Sequence, residues 1–167
     1  MAKEIERKFL VDKKRWHAFK ATHQPSAKPY QQGYIATAVV GQSVRVRIAG
    51  EQGFLTIKGP AQGKKGLTRT EFEYAISVSD AQEMLETLCE RPFISKTRYE
   101  VCYEGTRWEV DEFHAENAGL IVAEVELASE EQTFASPNWT SAEVSGERRY
   151  YNASLVKHPY AEWNSKD

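Results

Sequence analysis

Period-two alternation runs through most of this chain, and what alternates with the apolar residues is charge. Every second position reads Glu4, Glu6, Lys8; Arg45, Arg47; Lys58; Arg69, Glu71, Glu73; Lys96, Arg98; Glu109, Asp111; Glu124, Glu126. Between them stand Ile5 and Phe9, Val44, Val46 and Ile48, Phe72, Tyr74 and Ile76, Trp108 and Val110, Val125 and Leu127. Successive side chains of a strand point to opposite faces, so each run is a strand with one charged and one apolar face. The runs are residues 1–11, QQGYIATAV, SVRVRIA, GFLTIKG, TRTEFEYAIS, SKTRYEVCYE, TRWEVDEFH and GLIVAEVELA, with glycine turns predicting hairpins between several of them. Eight short antiparallel strands are enough to close a barrel.

Helical spacing interrupts the strands in a few places. Trp16 and Phe19 follow Asp12, a plausible N-cap, and predict a short helix over 12–22. Ala81, Met84, Leu85 and Leu88 share one helical face in SVSDAQEMLETLCER, capped by Ser79 or Asp80. RRYYNASLVKH reads as a closing helix, and the count is roughly four helices in all. Gln24 to Pro29, with two prolines, reads as a loop, as does the polar stretch around Pro137.

Two explanations compete for the charged faces. A half-buried antiparallel sheet shows polar residues to solvent on one side. Solvent faces, however, mix small polar residues with charges of both signs, whereas here the signs segregate: Arg with Arg, Lys with Arg, Glu with Glu on the first and last strands. Enclosed arginines demand an anion and paired carboxylates demand a cation. Both demands are met if the charged faces line a lumen that takes a polyanion together with a divalent metal.

The opening ExExK places Glu4, Glu6 and Lys8 on one strand face within ~13–14 Å of backbone. With the VRVRI, TIKG, RTEFEY, KTRYE, RWEVDEF, VAEVEL and RRYYN that follow in order, the chain resembles the CYTH family of triphosphate tunnel metalloenzymes over residues 3 to about 157. The compact length and the MAKEIERKFLV opening resemble the bacterial inorganic triphosphatase subgroup. The resemblance implies an α+β fold: an eight-stranded antiparallel β-barrel forming a tunnel with a charged lumen and helices packed outside. It implies one tunnel domain over 1–157 and a C-terminal tail over 158–167. The implied metal ligands are Glu4, Glu6, Asp111, Glu124 and Glu126, holding Mg2+ or Mn2+. The implied phosphate-binding cations are Lys8, Arg45, Arg47, Lys58, Lys96 and Arg98. Lys8 is the implied catalytic group, activating or orienting the nucleophile with a pKa lowered by neighbouring cations. Tyr34, the second implied catalytic residue, resembles a tunnel tyrosine that pairs with Lys8, and its alternative is a packing aromatic. Arg69, Glu71 and Glu73 read as lumen scaffolding, and Arg149 and Tyr150 as docking for the last helix.

The implied activity is metal-dependent hydrolysis of a triphosphate, foremost inorganic tripolyphosphate. Thiamine triphosphatase, class IV-type adenylyl cyclase and a non-catalytic polyphosphate- or nucleotide-binding module are the alternatives. Carboxylate oxygens suit a hard divalent cation, and arginine forks suit phosphate. No GxxxxGK[ST] loop is present, and GKKG at 63–66 lacks its context.

Composition closes off other classes. Twenty-two Lys+Arg against 24 Asp+Glu leave a net charge of -2, without the positive excess of a general nucleic-acid or membrane binder. Four Trp, 8 Tyr and 7 Phe supply a core. Two cysteines, Cys89 and Cys102, make neither a disulfide framework nor a cysteine zinc site. The acids of MAKEIERK stand where a signal peptide is apolar, and no apolar run nears the ~18 residues of a membrane span. A cytoplasmic protein is expected, monomeric or homodimeric, with no nucleic-acid or membrane partner.

Overall fold

The alternating runs pair edge to edge until the last meets the first. The computed structural model describes residues 3–163. In it β1 (Lys3–Val11), β2 (Ser26–Ile35), β3 (Ser43–Ala49), β4 (Gln52–Lys58), β5 (Thr68–Ile76), β6 (Ile94–Tyr103), β7 (Thr106–Phe113) and β8 (Ile121–Glu126) follow the order β5-β4-β3-β2-β6-β7-β8-β1. Every pairing is antiparallel, and β1 also pairs with β5, which closes an eight-stranded barrel. The closure is short: Lys3–Ile5 face Thr68–Thr70. Beyond that, Phe9 and Val11 pair with a ninth strand, β9 (Thr140–Glu143), which lies in the stretch expected to be loop.

β2 begins at Ser26, inside the expected Gln24–Pro29 loop, and ends at Ile35. Pro29 is tolerated because its carbonyl accepts from Gly50 N–H at 2.9 Å. Its nitrogen therefore faces the β3–β4 turn, and the ladder to β6 loses no donor. Among the described residues three α-helices form: α1 (Lys13–His23), α2 (Val78–Thr87) and α3 (Asn152–Lys157). Asp12 caps α1 by accepting from Arg15 N–H at 2.9 Å. Ser77, rather than Ser79 or Asp80, caps α2, accepting from Asp80 N–H at 3.0 Å. Leu88, placed by its spacing on the apolar face, is the residue after that helix and is exposed. The expected closing helix breaks at Tyr151 into a 3-10 turn, Arg148–Tyr150, and α3.

The cores lie mostly outside the barrel, as apolar outer faces require. Trp16 of α1, Trp139 and Phe134 cover Phe9, Trp108, Val110 and Val125. Ala81 and Leu85 of α2 cover Val46. A third cluster has a different origin. Leu10, Ile94, Phe113 and Val122 share strand faces with Lys8, Lys96, Asp111 and Glu124, so they point inward at one end of the barrel. There they pack with Tyr34, Tyr150, Leu155 and Val156. The lumen is charged along most of its length and apolar where the closing segment meets it. Past α3, a turn at Tyr160–Glu162 leads to Trp163, whose ring sits 5.2 Å from that of Tyr150. Residues 164–167 of the expected tail lie outside the described residues, as do Met1 and Ala2. Among the described residues no helix is long and apolar enough to cross a membrane.

Candidate active site

Inside the barrel lies a cavity of about 1100 Å³, lined by Glu4, Glu6, Lys8, Arg45, Arg47, Lys58 and their neighbours on the other strands. Register explains its charge layout. Glu6 of β1 stands opposite Glu126 of β8, and Glu124 of β8 stands opposite Glu109 of β7. Like charges directly opposite one another are unfavourable in a sheet. Lys8, two residues along β1, stands opposite Glu124 and approaches it to 3.4 Å.

The carboxylates respond in opposite directions. Burial, then the Glu124 and Glu4 charges, push the Glu6 carboxyl up to about 8, beyond what Lys58 and Lys8 offset. Burial with Glu4, Glu109 and Glu71 also raises Glu126. Burial opposes the Glu124 charge as well, but Lys8 and Arg98 hold that group down at about 2. Glu4 accepts from Lys58 Nζ at 2.5 Å, and Glu71 lies 3.1 Å from the same ammonium. Among the described residues no three His, Cys, Asp or Glu side chains converge as a preformed cage. The donor set nonetheless fits a hard divalent cation: Glu4, Glu6, Glu124 and Glu126 offer carboxylate oxygens crowded on adjacent strands, and burial together with nearby carboxylates holds Glu6 and Glu126 above their ordinary pKa.

Asp111 differs from that group. It is 1% exposed and does not line the cavity. Arg98 Nε and Nη2 donate to its two oxygens at 2.7 and 2.8 Å, and Lys96 Nζ donates at 2.7 Å. Arg98 and Lys96 outweigh the cost of burial and hold Asp111 far below the usual carboxylate range. It braces the two cations from behind. Arg98 also pairs with Glu109 and lies 3.6 Å from Glu124.

Lys8 is 5% exposed; its ammonium donates to the Tyr150 carbonyl at 3.3 Å and sits over the Tyr151 ring. Burial opposes its charge, yet Glu124, Glu6 and Asp111 more than compensate and raise its pKa. The expectation that neighbouring cations depress Lys8 therefore fails, because its immediate neighbours are carboxylates. The depressed lysine is Lys96, brought down to about 7 by burial, then by Arg98 and Arg47 against Asp111. Tyr34 lines the cavity, but its hydroxyl accepts from Gln32 Nε2 at 3.1 Å rather than meeting Lys8. Arg69, read as scaffolding, donates to the carbonyls of Gly59 and Gly41 at 2.8 and 3.0 Å and ties down the 36–42 loop at the cavity wall. Arg45 lies 3.6 Å from Glu73, and its Nε is buried without a partner among the described residues.

Sequence reasoning missed Tyr30, Gln32 and Asn152. Tyr30 and Gln32 precede Tyr34 at period two, so the same alternation points to them. Neither is charged, so the charge pattern does not single them out. The ring of Tyr30 underlies Arg47, Arg98 and Lys96, with centroid distances of 4.7, 5.2 and 5.7 Å. Asn152 carried no sequence signal beyond its place after RRYY.

Comparison with known proteins agrees with this geometry. The CYTH domain matches residues 2–160. An inorganic triphosphatase of Acetivibrio thermocellus is 47% identical over 160 residues, 96% of this chain and 97% of that protein. An inorganic triphosphatase of Nitrosomonas europaea is 36% identical over 156 residues, covering 92% and 96%. The crystal structure of an inorganic triphosphatase superposes with a TM-score of 0.63 at 33% identity, covering 93% of this chain and 95% of that one. With the domain matched nearly end to end and the closed barrel shared, the chain belongs to the CYTH domain family.

Proposed function

We propose that this protein hydrolyses inorganic tripolyphosphate inside the barrel, with Mg2+ or Mn2+ bound. One observation carries the proposal. One cavity within the barrel presents cations from β1, β3, β4 and β6 beside carboxylates of β1 and β8 that crowd one another. A polyanion satisfies the first set and a divalent cation the second. The names of the two relatives, both inorganic triphosphatases, favour the same substrate.

Water attacks the terminal phosphorus, the anhydride P–O bond breaks, and pyrophosphate leaves with that electron pair. The proton released from water passes to solvent or phosphate. Such a reaction asks the protein chiefly for positioning and charge neutralisation. Arg45, Arg47 and Lys58 neutralise phosphate oxygens along the chain. Asp111 keeps Arg98 and Lys96 pointed and holds Arg98 charged. Lys8, with its raised pKa, stays an ammonium at neutral pH and orients substrate or water by donation; it is not the base. A divalent cation held by Glu4, Glu6, Glu124 and Glu126 would supply charge neutralisation and a more acidic water.

A substrate panel tests the proposal: tripolyphosphate, ATP, thiamine triphosphate and pyrophosphate, each with Mg2+ or Mn2+, with phosphate and cyclic AMP both measured. Tripolyphosphate is expected to have a kcat/KM at least tenfold above that of ATP, since the named groups all address phosphate. That ratio needs only ~1.4 kcal/mol of transition-state discrimination. Cyclic AMP formed faster than tripolyphosphate is split assigns the cyclase alternative instead, and binding without turnover of any substrate assigns the binding module.

A further inference from the structure

Five of the six cations expected to bind phosphate already face a carboxylate. Lys8 pairs with Glu124, Arg45 with Glu73, Lys58 with Glu4, and Lys96 and Arg98 with Asp111. Arg47 has no carboxylate partner among the described residues, although it is only 8% exposed. Burial, then the charges of Arg45 and Arg98, push its pKa down to about 9. It is still a cation at neutral pH, and the one whose charge is least answered.

What holds Arg47 is a neutral amide. Its Nε donates to Gln32 Oε1 at 2.9 Å, and its guanidinium lies against the Tyr30 ring. Gln32 is fully buried and its other end is committed as well: Nε2 donates to Tyr34 Oη at 3.1 Å and to Asn152 Oδ1 at 3.2 Å. Asn152 Oδ1 also accepts from Lys96 Nζ at 3.1 Å. This network turns the carbonyl end of the amide toward Arg47. Engaging Nε leaves the two terminal nitrogens of the guanidinium, which form a fork that matches two phosphate oxygens. A carbonyl oxygen fixes the group without cancelling its charge, whereas a carboxylate at the same place would cancel it.

We propose that Gln32, itself held by Asn152, is a positioning residue that keeps Arg47 aimed and uncompensated as the principal phosphate anchor of the tunnel. The inference rests on the triphosphate reading above and names the residue that sets affinity within it.

The test is KM and kcat for tripolyphosphate at saturating Mg2+, with thermal melts of each variant alongside. Gln32→Glu keeps the shape and an acceptor for Arg47 Nε but sets a carboxylate against it. Gln32→Met removes both polar ends at similar volume. The expected result is a KM at least tenfold higher in Gln32→Glu, with kcat within about threefold of wild type, and a smaller rise in Gln32→Met. A purely structural role reverses that order, because methionine leaves Arg47 Nε without its acceptor while glutamate does not. The reversed order, or wild-type KM in both variants, overturns the inference. Arg47→Lys is a second check that leaves Gln32 untouched: it retains the charge and loses the fork, so KM rises at least tenfold. Wild-type KM in Arg47→Lys overturns the inference even where a Gln32 variant fails to fold. Failure of the functional reading looks different, for then wild-type protein releases no phosphate from tripolyphosphate at all.

Discussion

Glu6 sits where its charge is least welcome, and that makes it a reporter on the tunnel. In the unfolded chain its proton leaves near 4.5; in the metal-free fold it leaves at about 8. A raised carboxyl pKa means that its contribution to stability is full below pH 4.5 and is lost as pH rises to about 8. Glu6→Gln removes that loss. In chelator at pH 8 the variant should melt ~4–8 °C above wild type, equivalent to ~2 kcal/mol in a domain of this size. At pH 5 most of the difference should vanish, and with Mg2+ the variant should turn over almost no tripolyphosphate. Calorimetric melts at the two pH values check this, and equal melting at pH 8 counts against it. At this scale the sequence showed which positions carry charge and which face they share. It did not show who pairs with whom, because pairing depends on register across the barrel. Asp111 and Arg98 are partners only because β6 and β7 align them directly opposite each other. Gln32 was invisible to a search for charge, since its role depends on being neutral.

Elements were legible where period and turn chemistry agreed. The hairpins β3–β4 and β6–β7 follow from strict alternation around Gly50 and Gly105, both with positive φ. β9 was not legible: four residues, three of them exposed, leave no alternation to read. Its partner, the second half of β1, becomes available only after β5 has diverged from it. The closing segment was legible as helix but not as a wall of the site. Its Tyr150 carbonyl reaches Lys8 and its Asn152 reaches Lys96 and Gln32. Leu155, fully buried with Tyr34, Ile94 and Phe113, anchors it. Leu155→Ala should cost ~2–4 kcal/mol in urea unfolding. It should also raise KM for tripolyphosphate several-fold, since the cavity it leaves lies behind the backbone that carries these contacts. An unchanged KM beside the lost stability would separate the segment from the site.

At the scale of the whole molecule, the barrel is built with its polar face inward and most of its apolar face covered by helices and by Phe134 and Trp139, while Phe72 and Tyr74 of β5 stay exposed. That inversion was readable from segregated charge, because solvent gives acids and bases no reason to sort by strand. The apolar end of the lumen was not readable, since Leu10, Ile94, Phe113 and Val122 look like ordinary core positions until closure turns them inward. Closure also concentrates opposing charge in one cavity, and carboxylates beside a triphosphate repel it unless a cation stands between them. The proposed function therefore predicts a divalent-metal requirement that belongs to the whole arrangement and not to one residue. The direct measurement is phosphate release from tripolyphosphate by chelator-stripped protein, before and after Mg2+ or Mn2+ is restored. Release at background level in chelator, recovered on adding either metal, is the predicted result. Full turnover in thoroughly metal-free buffer would contradict it.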